Sequence, residues 1–150
     1  MMIREYHQSD WNEVCRIFDA SKPRELAGAG IGTSLVPLAA DEARIASFAR
    51  SMILVWADEA ALSGFVGCEG TFINWLFVDP VAFRRGIGRA LLRSVLSRIN
   101  GEARLWVAEG NPAAIALYYS EGFQAIEHRE VTNNGLPCRA IKLALRRQAS

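Results

Sequence analysis

The sequence predicts an α/β fold, a mixed sheet of about seven strands with helices packed on it, and three observations carry that prediction. Segments with apolar residues every three to four positions alternate with short apolar runs of strand length, in the order β-α-α-β-β-β-α-β-α-β-β. Turn residues punctuate these segments, and no linker, internal repeat or low-complexity tract interrupts them. The chain has 150 residues, 51% of them hydrophobic. At that length one domain spanning 1–150 holds a core without metal or disulfide support.

Met2 to Tyr6 reads as a short strand, and Ser9-Asp10 caps a first helix. In that helix Trp11, Val14, Cys15, Ile17 and Phe18 share a face, and it ends near Ser21-Lys22-Pro23. Residues 24–40, with Gly28, Gly30, Gly32 and Pro37, read as an irregular surface connection. Asp41-Glu42 opens a second helix that turns Ala43, Ile45, Ala46 and Phe48 inward. Met52 to Ala57 is a continuous apolar run, as in a strand covered on both faces. Gly64 to Cys68 is its hairpin partner across Asp58-Glu59-Ala60, and Phe72 to Val78 is the next strand. Ile87, Leu91, Leu92, Val95, Leu96 and Ile99 fall on one helical face that stops at Asn100-Gly101. Arg104 to Ala108 is a strand, and Pro112 to Tyr119 a short helix with proline in its first turn, ended by Gly122-Phe123. A closing hairpin joins Gln124–Val131 to Arg139–Leu145 through Asn133-Asn134-Gly135, where left-handed backbone costs little.

Cys15, Cys68 and Cys138 show no CxxC or CxxH spacing, which fits neither a disulfide framework nor a zinc site and points to a reduced compartment. No metal is expected, and each cysteine reads as a small apolar core residue. Charge enters the N-terminus at once and no run of 18 apolar residues occurs, so a cytoplasmic protein without a membrane span is expected. The net charge of +1 hides an asymmetry. Residues 1–80 hold 6 basic and 11 acidic side chains, and residues 81–150 hold 11 basic and 5 acidic. A basic half suits an anionic partner, or simply a solvated surface.

That charge gathers after Val78. Asp79-Pro80 leads into Phe83-Arg84-Arg85-Gly86-Ile87-Gly88-Arg89 and the strongest helix of the chain. A glycine turn opening a helix binds anions, because first-turn N–H groups point outward and the helix dipole adds positive charge. A Walker loop is excluded, since Gly-x-x-x-x-Gly-Lys-Ser/Thr occurs nowhere. The dinucleotide fingerprint would need Gly or Ala where Leu91 stands, and Gly28-Ala29-Gly30-Ile31-Gly32 follows no strand.

A third reading fits. Val78-Asp79-Pro80 followed by Gly86-Ile87-Gly88-Arg89-Ala90-Leu91-Leu92 resembles the acyl-CoA pyrophosphate loop of the GCN5-related N-acetyltransferases, the GNAT superfamily. Asn111-Pro112-Ala113-Ala114-Ile115-Ala116-Leu117-Tyr118-Tyr119-Ser120-Glu121-Gly122-Phe123 matches that family's N-x-x-A-x-x-x-Y-x-x-x-G-F pattern at each fixed position. The resemblance covers the whole chain in element order and residues 64–145 in detail, and is closest to small bacterial members. One departure is Phe83, where the family usually has Gln or Arg.

The resemblance implies a GNAT-like, mostly antiparallel seven-stranded sheet with helices on both faces, splayed open between the strands ending at Val78 and Ala108. It implies acetyl-CoA as cosubstrate. Pantetheine would bond the backbone of Leu76, Phe77 and Val78, with an N–H near Val78 facing the thioester carbonyl. Diphosphate would sit on Arg84, Arg85, Gly86, Ile87, Gly88 and Arg89, and Asn111, Ala114 and Tyr118 would complete the cofactor site. Tyr118 is the family-matched acid for the leaving thiol, with Tyr119 beside it as an alternative. No carboxylate lies on Phe72–Phe77, so Glu69, acting through a water that Asn74 helps to hold, is the candidate base. His7 and His128 read as structural or surface residues. Trp56, Phe72 and Trp75 are candidates for an acceptor pocket as well as for the core.

The acceptor is expected to be a small-molecule amine, to which the acidic first half adds a sign argument. A protein amine or aminoacyl-tRNA is the alternative. The tRNA would need a continuous basic surface, for which Arg139, Lys142, Arg146 and Arg147 are candidates, so nucleic acid is not the expected partner. A non-catalytic acyl-CoA-binding module is the remaining rival, and a homodimer is what many relatives form.

Overall fold

The computed structural model describes residues 2–27, 36–133 and 136–146. Its strands are β1 (Met2–Glu5), β2 (Met52–Ala57), β3 (Leu62–Glu69), β4 (Phe72–Val78), β5 (Ala103–Ala108), β6 (Gln124–Asn133) and β7 (Leu136–Leu145). Its helices are α1 (Trp11–Ala27), α2 (Glu42–Arg50), α3 (Ile87–Leu96) and α4 (Pro112–Ser120). The strands form one sheet in the order β1-β2-β3-β4-β5-β7-β6. Every neighbouring pair is antiparallel except β4 and β5.

The parallel pair is the irregular one. β4 and β5 share a single register pair, Phe72 with Arg104, supported by the Arg104 N–H bond to Thr71 O at 3.0 Å. Beyond that pinch the two strands diverge, whereas β5 and β7 stay in ladder over six pairs. A bulge adds to the divergence. Gly67 opposes Trp75 and Cys68 opposes Ile73, so Asn74 is an extra residue in β4. Ile73 and Leu76 therefore pack on one face while Trp75 and Phe77 pack on the other.

Two apolar cores result. On one face α1 and α2 lay Val14, Ile17, Phe18 and Phe48 over Ile53, Val55, Phe65, Trp75 and Phe77 of β2 to β4. On the other, Ile87, Leu91, Leu92 and Val95 of α3 and Tyr118 of α4 meet Leu54, Val66, Leu105, Val107, Ile141 and Leu143. Gly64 of β3 lets α3 come close, since a Cβ there would lie 3.0 Å from Leu91 and from the Phe77 carbonyl.

Local chemistry sets the helix starts. The Asp10 carboxylate accepts the His7 N–H at 2.8 Å and two bonds from Arg4, closing a 3-10 turn (Gln8–Asp10) that leads into α1. Arg4 in turn holds the Asp10 carboxyl below its ordinary range. Asp41 accepts from the Arg44 N–H and caps α2, and Asn111 accepts from the Ala114 N–H and caps α4.

Several expectations need correction. α1 does not stop at Pro23 but runs on to Ala27, past a proline that removes one helical donor. Only Phe48 of α2 is buried, with Ile45 half-buried and Ala43 and Ala46 exposed. β3 begins two residues earlier than Gly64, since Leu62 continues the pairing with Ala57 across a bulge. The glycine stretch 28–32 and the tip Asn134-Gly135 lie outside the described residues.

Candidate active site

The gap between β4 and β5 leaves backbone groups of β4 without a strand partner. Asp79 N–H donates to Ser63 O of β3 at 2.8 Å. N–H direction alternates along a strand, so Phe77 also faces β3 while the N–H groups of Leu76 and Val78 face the gap. Of the three residues expected to meet pantetheine, Leu76 and Val78 therefore offer their backbone, and Phe77 contributes its place in the ladder. Ser21 of α1, which the sequence offers only as a helix-end residue, is buried and puts its hydroxyl 2.9 Å from Val78 O and 2.6 Å from Ile17 O. A lone serine within a helix gives no signal of such a contact in sequence.

Beyond Val78 the chain turns through a short 3-10 segment (Pro80–Ala82) into the glycine loop. Arg84 and Gly86 both take positive φ, 68° and 76°. An arginine in that left-handed region is uncommon, and such strain gathers at ligand-binding turns. Gly86 is the residue before α3 and gives its first turn no side-chain cap, so the N–H groups of Ile87, Gly88 and Arg89 are left for a ligand. Arg84 and Arg85 are exposed, with Arg85 3.9 Å from Asp58. Arg89 turns to α4, donating to Ser120 at 2.9 Å and lying 3.5 Å from Glu121. Phe83 is 43% exposed at the loop surface.

This loop is tied to α1. Arg16 reaches Asp79 at 2.6 Å, Glu13 at 2.7 Å and Leu62 O at 3.1 Å, while Asp79 accepts from the Val81 N–H. Arg16 holds the Glu13 carboxyl below its ordinary range, by hydrogen bonding and by charge. Helix α1 thus fixes the far end of β4, where the chain turns toward the glycine loop.

On the α3/α4 face the gap is floored. Gly88 is placed so that a Cβ would lie 3.7 Å from both Leu117 and Val78, and Ala114, Leu117 and Tyr118 pack there. Tyr118 is buried, its ring 5.7 Å from Phe123 in an edge arrangement, whereas Tyr119 is 47% exposed. The structure thus separates the two tyrosines that the sequence leaves side by side.

Glu69 lies elsewhere. It opposes Phe72 at the start of β4, about 10 Å of strand from Leu76, and its carboxylate holds Arg50 at 2.9 Å. At that distance Glu69 can serve a reacting amine at the gap only through intervening water, as the sequence expectation has it. Asn74 is likewise committed. With its oxygen toward α2 it accepts from Ser47 (3.0 Å), Ser51 (3.1 Å) and the Trp75 indole, and its nitrogen donates to Gly67 O. Trp75 and Trp56 are core residues on opposite faces, 3% and 8% exposed, and Phe72 is half-buried at the pinch. His7 and His128 are exposed. Burial pushes the Cys15 and Cys68 thiols up, which suits packing and not nucleophilic attack. Among the described residues no cluster of three His, Cys, Asp or Glu could hold a metal, and no helix is long and apolar enough to cross a membrane. A cleft of about 730 Å³ between β1, α1 and α2, lined by Tyr6, Trp11, Ile45, Phe48, Ser51 and Met52, lies at the other edge of the sheet.

A β4 edge left open opposite β5, a glycine turn with bare helix N–H groups and a floor ending in Tyr118 together fit an acyl-CoA: a pantetheine strand, a diphosphate cradle and a proton donor. Residues 49–125 match the acetyltransferase (GNAT) domain model, and the chain belongs to this family. It is accordingly an acetyl-CoA-dependent N-acetyltransferase. It is 33% identical, over 84% of its length and 85% of the relative's, to peptidyl-lysine N-acetyltransferase YiaC of Escherichia coli. Over 67 residues, 42% of this chain and 45% of the other, it is 45% identical to the ribosomal protein bS18-alanine N-acetyltransferase of Escherichia coli. Among solved structures, YncA of Salmonella typhimurium with its cofactor acetyl-CoA superposes with a TM-score of 0.77 at 18% identity, over 100% and 96% of the two chains.

Proposed function

We propose that the 150-residue chain is one cytoplasmic acetyltransferase domain whose acceptor is a primary amine of a polypeptide. The single observation that carries the acceptor class is the open sheet beside the gap: on the α1/α2 face no described helix covers β5, β7 and β6. An enclosed pocket for a small molecule would need a wall there; an extended peptide needs only a floor. The two polypeptide-modifying relatives agree with this, and against it stands the small-molecule amine that the sequence favours.

When bound, acetyl-CoA supplies the thioester that the amine attacks. The chain's residues do the rest. Leu76 and Val78 present N–H groups at the gap, where one stabilises the oxyanion as it develops. The first-turn N–H groups of α3, with Arg84 and Arg85, hold the diphosphate, and Arg89 braces α3 against α4. Asn111 fixes the start of α4 and so aims Tyr118. Tyr118 gives its proton to the departing sulfur from the α3/α4 side. The amine approaches from the opposite, open face, where its ammonium loses a proton to solvent.

The test is thermal unfolding with acetyl-CoA, CoA, NADH and ATP, followed by kinetics of Tyr118→Phe. Acetyl-CoA and CoA at about 100 times their dissociation constants should add roughly 2.7 kcal/mol of stability, and NADH should add none. Tyr118→Phe should lower kcat by about 10²- to 10⁴-fold while keeping the CoA shift. An unchanged kcat removes Tyr118 as the acid. Turnover of small amines but of no peptide overturns the polypeptide reading.

A further inference from the structure

Helices α3 and α4 close one side of the gap, so whatever meets the thioester must cross the other side, over the bare face of β5, β7 and β6. The side chains on that face follow from the pairing. Leu105 and Val107 point into the α3/α4 core, so Arg104, Trp106 and Ala108 point the opposite way. Directly paired residues share a face, which adds Lys142 and Ala140 of β7 and Glu127 and Arg129 of β6. Trp106 is two residues past the pinch at Arg104, level with the bulged part of β4 and just short of Leu76.

Two cations stack on that indole. The Arg129 guanidinium lies 5.0 Å and the Lys142 ammonium 5.6 Å from the Trp106 ring, within cation–π range. Their charge is only partly balanced. Glu127 pairs with Arg129 at 2.7 Å and Glu102 with Arg104 at 2.8 Å, but no carboxylate lies within ion-pair distance of Lys142 among the described residues. Lys142 is half-buried one strand from the gap, and Glu127, opposite it on β6, is engaged by Arg129, which leaves the Lys142 ammonium complementary to a carboxylate.

We infer that Trp106, Lys142 and Arg129 form a carboxylate-reading floor of the acceptor site, so that the preferred acceptor carries an acidic group close to its amine. This rests on the acetyl-transfer reading and narrows its substrate class. Spacing follows from the sheet. Lys142 is one strand, about 5 Å, farther from the gap than Trp106, and Arg129 is two strands away. An extended peptide rises about 3.3 Å per residue, which places the carboxylate one or two residues from the reacting amine. The same cations repel a lysine or arginine at that position.

The experiment uses three peptides identical except for Glu, Gln or Lys at the two positions flanking one acceptor amine. Binding to the CoA-saturated protein and kcat/KM by thiol release are both measured. The Glu peptide should exceed the Gln peptide by about tenfold in both, with the Lys peptide lowest. Lys142→Gln should flatten that ranking, and Lys142→Glu should reverse it, with the thermal shift on CoA binding retained in both variants. Equal binding of all three peptides, or a ranking that survives Lys142→Glu, overturns the inference. The failure of the polypeptide reading looks different: peptides neither bind nor react, while an amino acid is acetylated. In that case a free carboxylate preferred to its amide, with the preference lost in Lys142→Gln, upholds the floor, and no preference overturns it.

Discussion

Strands β2, β3 and β4 are covered on both faces, whereas among the described residues β5 and β7 are covered on the α3/α4 face only and the edge strand β6 is largely exposed. The contrast is sharpest between two tryptophans at inner positions of neighbouring strands. Trp75, 3% exposed, is ringed by Phe18, Phe48, Phe65 and Phe77 at 5.5 to 6.2 Å. Trp106, half-buried, is ringed by cations. The residue type is the same and the helix above is not. One half of the sheet is a scaffold fixed by packing, and the other keeps a face for ligands at the expense of burial.

The largest effect should come from breaking the scaffold half. Phe65 is wholly buried among Phe48, Trp75 and Phe77, and Phe65→Ala should cost about 3 to 5 kcal/mol. Thermal unfolding should show a midpoint lower by roughly 10 °C; a loss under about 1 kcal/mol would mean that the aromatic cluster does not set the stability of this half.

Next comes the Arg4–Asp10 pair, which joins β1 to the start of α1. Asp10→Asn should cost about 1 to 2 kcal/mol at pH 7. Because the folded Asp10 carboxyl titrates below its ordinary value, its stabilisation is complete above the unfolded value near 3.9 and fades as pH falls through the lower folded value. The two proteins should therefore converge in stability below about pH 4 in a denaturant series. A constant difference down to pH 2 would assign the effect to shape and not to charge.

The smallest stability change belongs to the open half. Trp106→Leu should shift stability by less than about 1 kcal/mol but raise the KM of an acidic acceptor severalfold. Equal losses for Trp106→Leu and Phe65→Ala would erase the distinction between the halves.

Element order, the α3 loop and the Asn111 to Phe123 motif were legible because each rests on local spacing: the 3.6-residue face of α3, the glycines at 86 and 88, the cap at Asn111. The seven strands agree with the sequence pattern, and the break between β4 and β5 with what the family resemblance implies. What escaped is what depends on through-space register. Nothing local shows that Asn74 is a bulge, although a polar residue inside Phe72-Ile73-Asn74-Trp75-Leu76 was a usable signal. Without that bulge the facing of Trp75 cannot be derived. The β3–β4 hairpin holds Glu69 beside Phe72 at the start of β4, away from the Leu76–Val78 end where the gap opens, a distance that sequence order alone does not show. The Arg129–Trp106–Lys142 stack joins three strands and has no sequence spacing to read.

Because a single backbone bridge joins β4 to β5, hydrogen-bond cooperativity along the sheet is interrupted there, and the two halves are joined mainly by side chains of α3 and α4. They are candidates for separate opening units in native-state hydrogen exchange, with the β5–β7–β6 amides exchanging by a cheaper route than those of β2 to β4. In the proposed mode of binding, a pantetheine lying on Leu76 and Val78 would fill the gap with amides of its own. The cosubstrate is then also a structural strand, and its arrival should merge the two opening units into one.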